Sequence, residues 1–214
     1  MSSVEQLRSR ETTVSGQVSL SRSLVSPSIA KAFYYDDFSA ATQCRTAQIV
    51  VEGRTLFVNA GWLAELSPFF ASKYFGPNAS NVIELSSEFT YDQVLELMQV
   101  IFYCPTRKPI TVSNLPEVFT LAHRFNMKPV EDRCEGVIKK EMKNLDYVQL
   151  VQMTRVLSDC NRNSHTMTML IDKLSNMKDA DLSTISFADV RGDVVADVFA
   201  AKMRKTEMKR CCIC

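Results

Sequence analysis

Two short β-branched runs, Ala47 to Val51 and Thr55 to Val58, flank Glu52-Gly53-Arg54. Gly tolerates a positive φ, so this pattern predicts a β-hairpin. Asn59 can then cap a helix over Ala60–Leu66. Ser67-Pro68 reads as the next helix start, with Ser accepting a backbone N–H bond and Pro at the first helical position. Phe70 and Tyr74 lie four apart on one face of that helix, and Gly76-Pro77-Asn78 ends it. Asn81 to Leu85, "NVIEL", predicts a short strand.

Thr90 and Gln93 have the spacing of a capping box. The helix they open carries Tyr91, Val94, Leu95, Met98, Ile101 and Phe102 on one stripe, and Pro105 is its stop. Thr106 to Thr111 is a polar connection. Asn114 with Glu117 forms a second capping pattern, before a helix with Val118, Leu121, Ala122 and Phe125 at helical spacing. Asn126 to Pro129 breaks the chain, and Val130, Cys134, Val137 and Ile138 form the next stripe. Further helices are predicted over Tyr147–Leu157, His165–Asn176 and Asp189–Lys205. Full burial of each large apolar side chain contributes about 1.5–3 kcal/mol, so the stripes account for most aromatics as core. Trp62, Leu63 and Leu66 are assigned to it.

Composition narrows the function classes. Of 214 residues, 46% are apolar and the net charge is +1. That balance gives no basic face for nucleic acid. No run approaches the roughly 18 apolar residues of a transmembrane helix, and "MSSVEQLRSR" lacks the apolar core of a secretory signal. Seven cysteines, an odd number without a signal, point to a reducing compartment. The expected location is intracellular, cytoplasmic or nuclear. Residues 1–37 are Ser-rich and weakly periodic, and read as a disordered or weakly ordered arm with a short ordered piece at Phe33-Tyr34-Tyr35.

Catalytic constellations do not emerge. His123 and His165 are the two histidines, and His123 reads as structural. Cys44, Cys104, Cys134 and Cys160 are scattered and read as small buried or half-buried hydrophobes rather than metal ligands. Glu131-Asp132 reads as a solvated helix start. No phosphate-binding loop, nucleophile elbow or zinc-protease motif occurs, so no enzyme activity, catalytic residue, metal or cofactor is expected. The last stretch, "KMRKTEMKRCCIC", has five basic residues, one acid and three cysteines. Cys211, Cys212 and Cys214 fit the outline of a lipidation signal behind basic residues; a frayed cationic tail and a metal-binding tail are the alternatives. Membrane association is expected only if these cysteines are lipidated.

The block from Phe38 to Met142 resembles the BTB/POZ domain, and its nematode branch in particular. The resemblance rests on Val50-Val51-Glu52-Gly53, Leu63 with Ser67-Pro68-Phe69-Phe70, Tyr103 to Thr111, and Leu121-Ala122-His123-Arg124-Phe125 followed by Arg133-Cys134. It implies an α+β fold, a small β-sheet with clustered helical hairpins, followed by a short helical extension. The expected divisions are the arm 1–37, the BTB/POZ-like domain 38–142, the extension 143–205 and the basic Cys-rich tail 206–214.

The resemblance further implies a non-enzymatic protein-interaction module whose partners are a second copy or cullin-3, as in a ubiquitin-ligase substrate adaptor. The alternative is a self-associating scaffold without cullin binding. Partner-binding residues are expected at Phe69, Lys73, Tyr74, Phe75 and Asn78, with Phe102 and Tyr103 near that surface. Two departures from the family pattern stand out. Thr46 and Asn59 replace the acidic and basic residues that line a pocket in many family homodimers. Asn78 and Ser80 replace the apolar residue and the Glu of the loop that cullin-binding members carry.

Overall fold

The computed structural model describes residues 36–104, 107–183 and 185–211. The N-terminal arm up to Tyr35, Pro105, Cys212 and Cys214 lie outside the described residues. The hairpin forms as its sequence predicts: β1 (Ala47–Val51) pairs antiparallel with β2 (Arg54–Val58), with Val51 opposite Arg54. Both turn residues have positive φ, Glu52 at 51° and Gly53 at 72°, the geometry of a two-residue turn matched to strand twist. β3 (Val82–Glu84) lies parallel to β1 on its other side, giving the order β2-β1-β3. Ile49, Leu56 and Ile83 are turned into the core.

Helices α1 (Ala60–Leu66) and α2 (Pro68–Phe75) follow the hairpin. The Asn59 side chain accepts from Trp62 N at 2.9 Å, and Ser67 Oγ accepts from Phe70 N at 3.2 Å. Ser67 also donates to the Phe125 carbonyl, so one buried hydroxyl both caps α2 and fastens it to a distant chain turn. Helix α3 (Tyr91–Ile101) opens with the predicted Thr90–Gln93 capping box. The Glu52 carboxylate also accepts from Tyr91 N at 2.9 Å, so the hairpin turn caps the same helix.

Helices α4 (Leu115–Arg124) and α5 (Lys128–Glu141) form the next pair. The second capping pattern is corrected. Asn114 precedes α4 but makes no side-chain cap bond. Its amide accepts from Thr111 N at 2.8 Å and donates to Glu96 Oε1 at 2.7 Å, so it organises the connection from α3. Glu131 is likewise not a solvated residue. It is buried and bonded to His123 Nδ1 at 3.1 Å, because the start of α5 folds back against α4; Asp132 does face solvent. Cys44, expected at least half-buried, is exposed.

Beyond the last BTB-like stripe come α6 (Tyr147–Cys160), α7 (His165–Ser175), two one-turn helices α8 (Asp179–Leu182) and α9 (Ile185–Ala188), and α10 (Gly192–Cys211). Helix α10 starts at Gly192 rather than Asp189. Phe187 and Val190 are drawn into the core first, with Val190 N donating to Phe187 O at 3.1 Å in a turn. One continuous set of buried side chains runs from Phe38 through Met142 to Val198, so the later helices complete the core of the earlier ones. Their joint is Glu135, buried on α5, which accepts from Asn161 Nδ2 at 2.9 Å and from Thr166 Oγ1 at 2.5 Å.

Candidate functional site

Seven residues were expected to face a partner, and the structure separates them. Lys73, Phe75 and Asn78 are exposed, and Phe75 presents 64% of its surface. They sit where α2 ends. The tip is ordered by its own backbone: Gly76 N donates to Ser72 O at 3.0 Å, Ala79 N to Gly76 O at 3.1 Å and Ser80 N to Lys73 O at 3.1 Å. Glycine is required at this tip, because a Cβ on Gly76 would lie 2.3 Å from the Ser72 carbonyl oxygen.

Tyr74 is a correction. It is 7% exposed, its ring stacks on Phe70 at 6.2 Å and its hydroxyl donates to the Gln48 carbonyl at 3.1 Å. Helical spacing puts Tyr74 over Phe70, and Phe70 points to the core. Burial pushes the Tyr74 phenol well above its ordinary range, so it stays a neutral donor. Phe69 is half-buried, 5.1 Å from Phe70 and 5.4 Å from Phe125, with Lys73 Nζ 5.9 Å from its ring centre.

Phe102 and Tyr103 belong to a second aromatic group. Phe102 meets Phe38 edge-on at 5.7 Å and Tyr103 at 4.6 Å, and Tyr103 meets Trp62 at 6.1 Å. The first group's rings run instead through Phe69, Phe70, Tyr74, Phe89 and Phe125. The single expected surface is thus two. Trp62 is half-buried, and its Nε1 donates to the Ile101 carbonyl at 2.7 Å, which ties α1 to the end of α3.

Sequence reasoning missed the charged member of this second group. Thr46 and Asn59 carry no charge, but Arg45, one residue earlier, does. Arg45 is 3% exposed, with its guanidinium carbon 4.8 Å from the centre of the Phe38 ring and 5.8 Å from that of Phe102. Cation–π contacts of this kind contribute about 0.5–2 kcal/mol, against a desolvation penalty of several kcal/mol for a buried ion. Its Nη1 is buried with no hydrogen-bond partner among the described residues. An Arg just before a β-branched run was the available signal, but the sequence does not show which rings close over it.

The other titratable groups have structural surroundings. Burial pushes the Cys134 thiol up to about 12 and the Cys160 thiol up to about 11, which keeps both protonated and poor as nucleophiles or ligands. Among the described residues no group of His, Cys, Asp and Glu has the clustering a metal needs. No helix among them is long and apolar enough to cross a membrane.

The fold is a three-stranded sheet with paired helices, and it leaves Phe75 at the end of α2 and Tyr103 just past α3 exposed. The BTB/POZ domain profile matches residues 35–142, and the chain belongs to that family, whose domains mediate protein–protein interaction and are generally non-enzymatic. It is 43% identical over 185 residues to Cytokinesis defective protein 7 of Caenorhabditis elegans, covering 82% of this chain and 68% of that protein. It is 25% identical over 187 residues to BTB and MATH domain-containing protein 38 of the same organism, covering 81% of this chain and 47% of that protein. The chain therefore spans about half the length of the second relative.

Proposed function

We propose that this chain is a non-enzymatic adaptor that engages a cullin-3-type ubiquitin-ligase scaffold through the tip of α2. The observation that carries the reading is Phe75, a large apolar side chain that is mostly exposed on a hydrogen-bonded tip, between Lys73 and Asn78. A rigid exposed aromatic is an efficient interface anchor, because little conformational freedom is lost on binding. Asn78 and Ser80 remove one apolar group and one charge from the loop beside it, so the affinity rests more heavily on Phe75.

Calorimetric titration of the full chain with the N-terminal domain of cullin-3 tests this. A dissociation constant at or below about 1 μM, near −8.2 kcal/mol, supports the adaptor reading. Absence of heat and of a complex rejects it.

A second reading is a self-associating scaffold tethered by lipidated C-terminal cysteines. Helix α10 favours it, since Phe199, Met203 and Met208 are exposed along it as it leads to Cys211. Mass spectrometry of the cellular protein is the check: an unmodified C-terminus without acyl or prenyl groups removes the tether.

A further inference from the structure

Among the described residues, Arg45 Nη1 is the buried side-chain polar atom left without a hydrogen-bond partner. The turn before β1 holds this residue in place, with Thr42 N donating to Arg45 O at 3.1 Å and Arg45 N to Thr42 Oγ1 at 3.0 Å. The guanidinium lines a cavity of about 20 Å³ whose walls include Phe38, Asn59, Trp62, Phe102 and Tyr103, with no acidic residue among the described ones. A buried cation with an unused donor and no counter-charge among the described residues around it is an unfinished interaction. The cavity has room for about one oxygen atom. Of its aromatic lining, Tyr103 is 47% exposed.

These features select the ligand. One orphan donor and one oxygen-sized space suit a carboxylate oxygen. Apolar walls suit the methylene stem that carries it, and they disfavour a doubly charged phosphate. We propose that the cavity receives an Asp or Glu side chain of a protein partner. Arg45 Nη1 donates to the carboxylate, and Trp62 and Tyr103 cover its stem. The inference rests on the interaction-module reading and adds the chemistry of the partner at a second surface.

Trp62 is the single tryptophan of the chain and lines the cavity, so the full chain reports on its own occupancy. The experiment titrates N-acetyl-glutamate N-methylamide against tryptophan fluorescence at neutral pH. The glutamine analogue at matched ionic strength is the control. The expected result is a saturable change with the glutamate probe and at least ten-fold weaker binding of the glutamine probe. The response is also lost in Arg45→Met that keeps the wild-type circular dichroism. No saturable response, equal response to both probes, or a response that survives in folded Arg45→Met overturns the proposal. The two-probe comparison decides on the wild-type chain even if the variant does not fold. Failure here with cullin or self-association intact removes the carboxylate pocket alone; failure of every binding assay removes the module reading as well.

Discussion

Glu135 on α5 and Thr166 on α7 are joined by a 2.5 Å hydrogen bond, and the bond crosses the point at Met142 where the family match ends. Both residues are buried, and Asn161 gives the carboxylate its second donor. Thr166→Val keeps the shape and removes one donor from a buried carboxylate. It is expected to cost about 1–3 kcal/mol, read as a lower urea midpoint with an unchanged slope. A midpoint within error of wild type would show that α7 does not satisfy Glu135.

Ser67 carries two bonds at once, from Phe70 N and to the Phe125 carbonyl. Ser67→Ala removes a helix cap and leaves a buried carbonyl bare. The combined loss is about 2–4 kcal/mol, visible in chemical or thermal unfolding. A loss near 0.5 kcal/mol, the low end for a cap alone, would mean that the Phe125 carbonyl finds another donor.

The two neighbours Tyr74 and Phe75 are expected to separate stability from binding. Tyr74→Phe loses the hydroxyl bond to Gln48 and about 1 kcal/mol of stability, with partner affinity unchanged. Phe75→Ala is expected to leave stability within about 0.5 kcal/mol and to weaken cullin-3 binding at least about ten-fold. Unfolding curves and calorimetry on the same two variants check both halves. The opposite pattern would move the interface away from the tip.

Alkaline pH is expected to destabilise the fold through Cys134. Burial raises its thiol from an ordinary value of 9.0 to about 12. The stability tied to that proton is therefore complete below pH 9 and is lost as pH rises towards 12, because the unfolded chain releases the proton first. The slope is at most about 1.4 kcal/mol per pH unit for one group. Urea midpoints of wild type and Cys134→Ala between pH 8 and 10.5 are expected to converge; parallel lines would remove Cys134 as the cause. Below the transition, exposed Cys44 reacts with a thiol reagent while Cys134 waits for unfolding.

What the sequence made legible was local. The Glu52-Gly53 turn, the caps at Asn59, Ser67 and Thr90, and the stripe along α3 each depend on residues within one or two turns of one another. Contacts between distant segments were hidden. Asn114 has the right spacing for a cap and spends its amide on Glu96 and Thr111 instead. Glu131 and Glu135 look like surface carboxylates until α4, α6 and α7 close over them. Of the candidate surface, Lys73, Phe75, Asn78 and Tyr103 are exposed. Tyr74 could have been placed inside by its spacing from Phe70. Arg45 could not, since its burial depends on Phe38 and Phe102 meeting above it.

Three lysines reach across to the ends of other segments. Lys173 Nζ donates to the Met142 and Leu145 carbonyls, Lys202 Nζ to the Met177 carbonyl, and Lys205 Nζ to the Asp172 carbonyl, Ser175 Oγ and Asn176 Oδ1. These amines are tied up as structural donors, so they are slow acceptors for any acyl group or ubiquitin. Lys140 and Lys143, by contrast, are exposed. Acetylation of Lys205 removes its charge and donors, and is expected to loosen α10 from α7, where its amine bonds Asp172, Ser175 and Asn176.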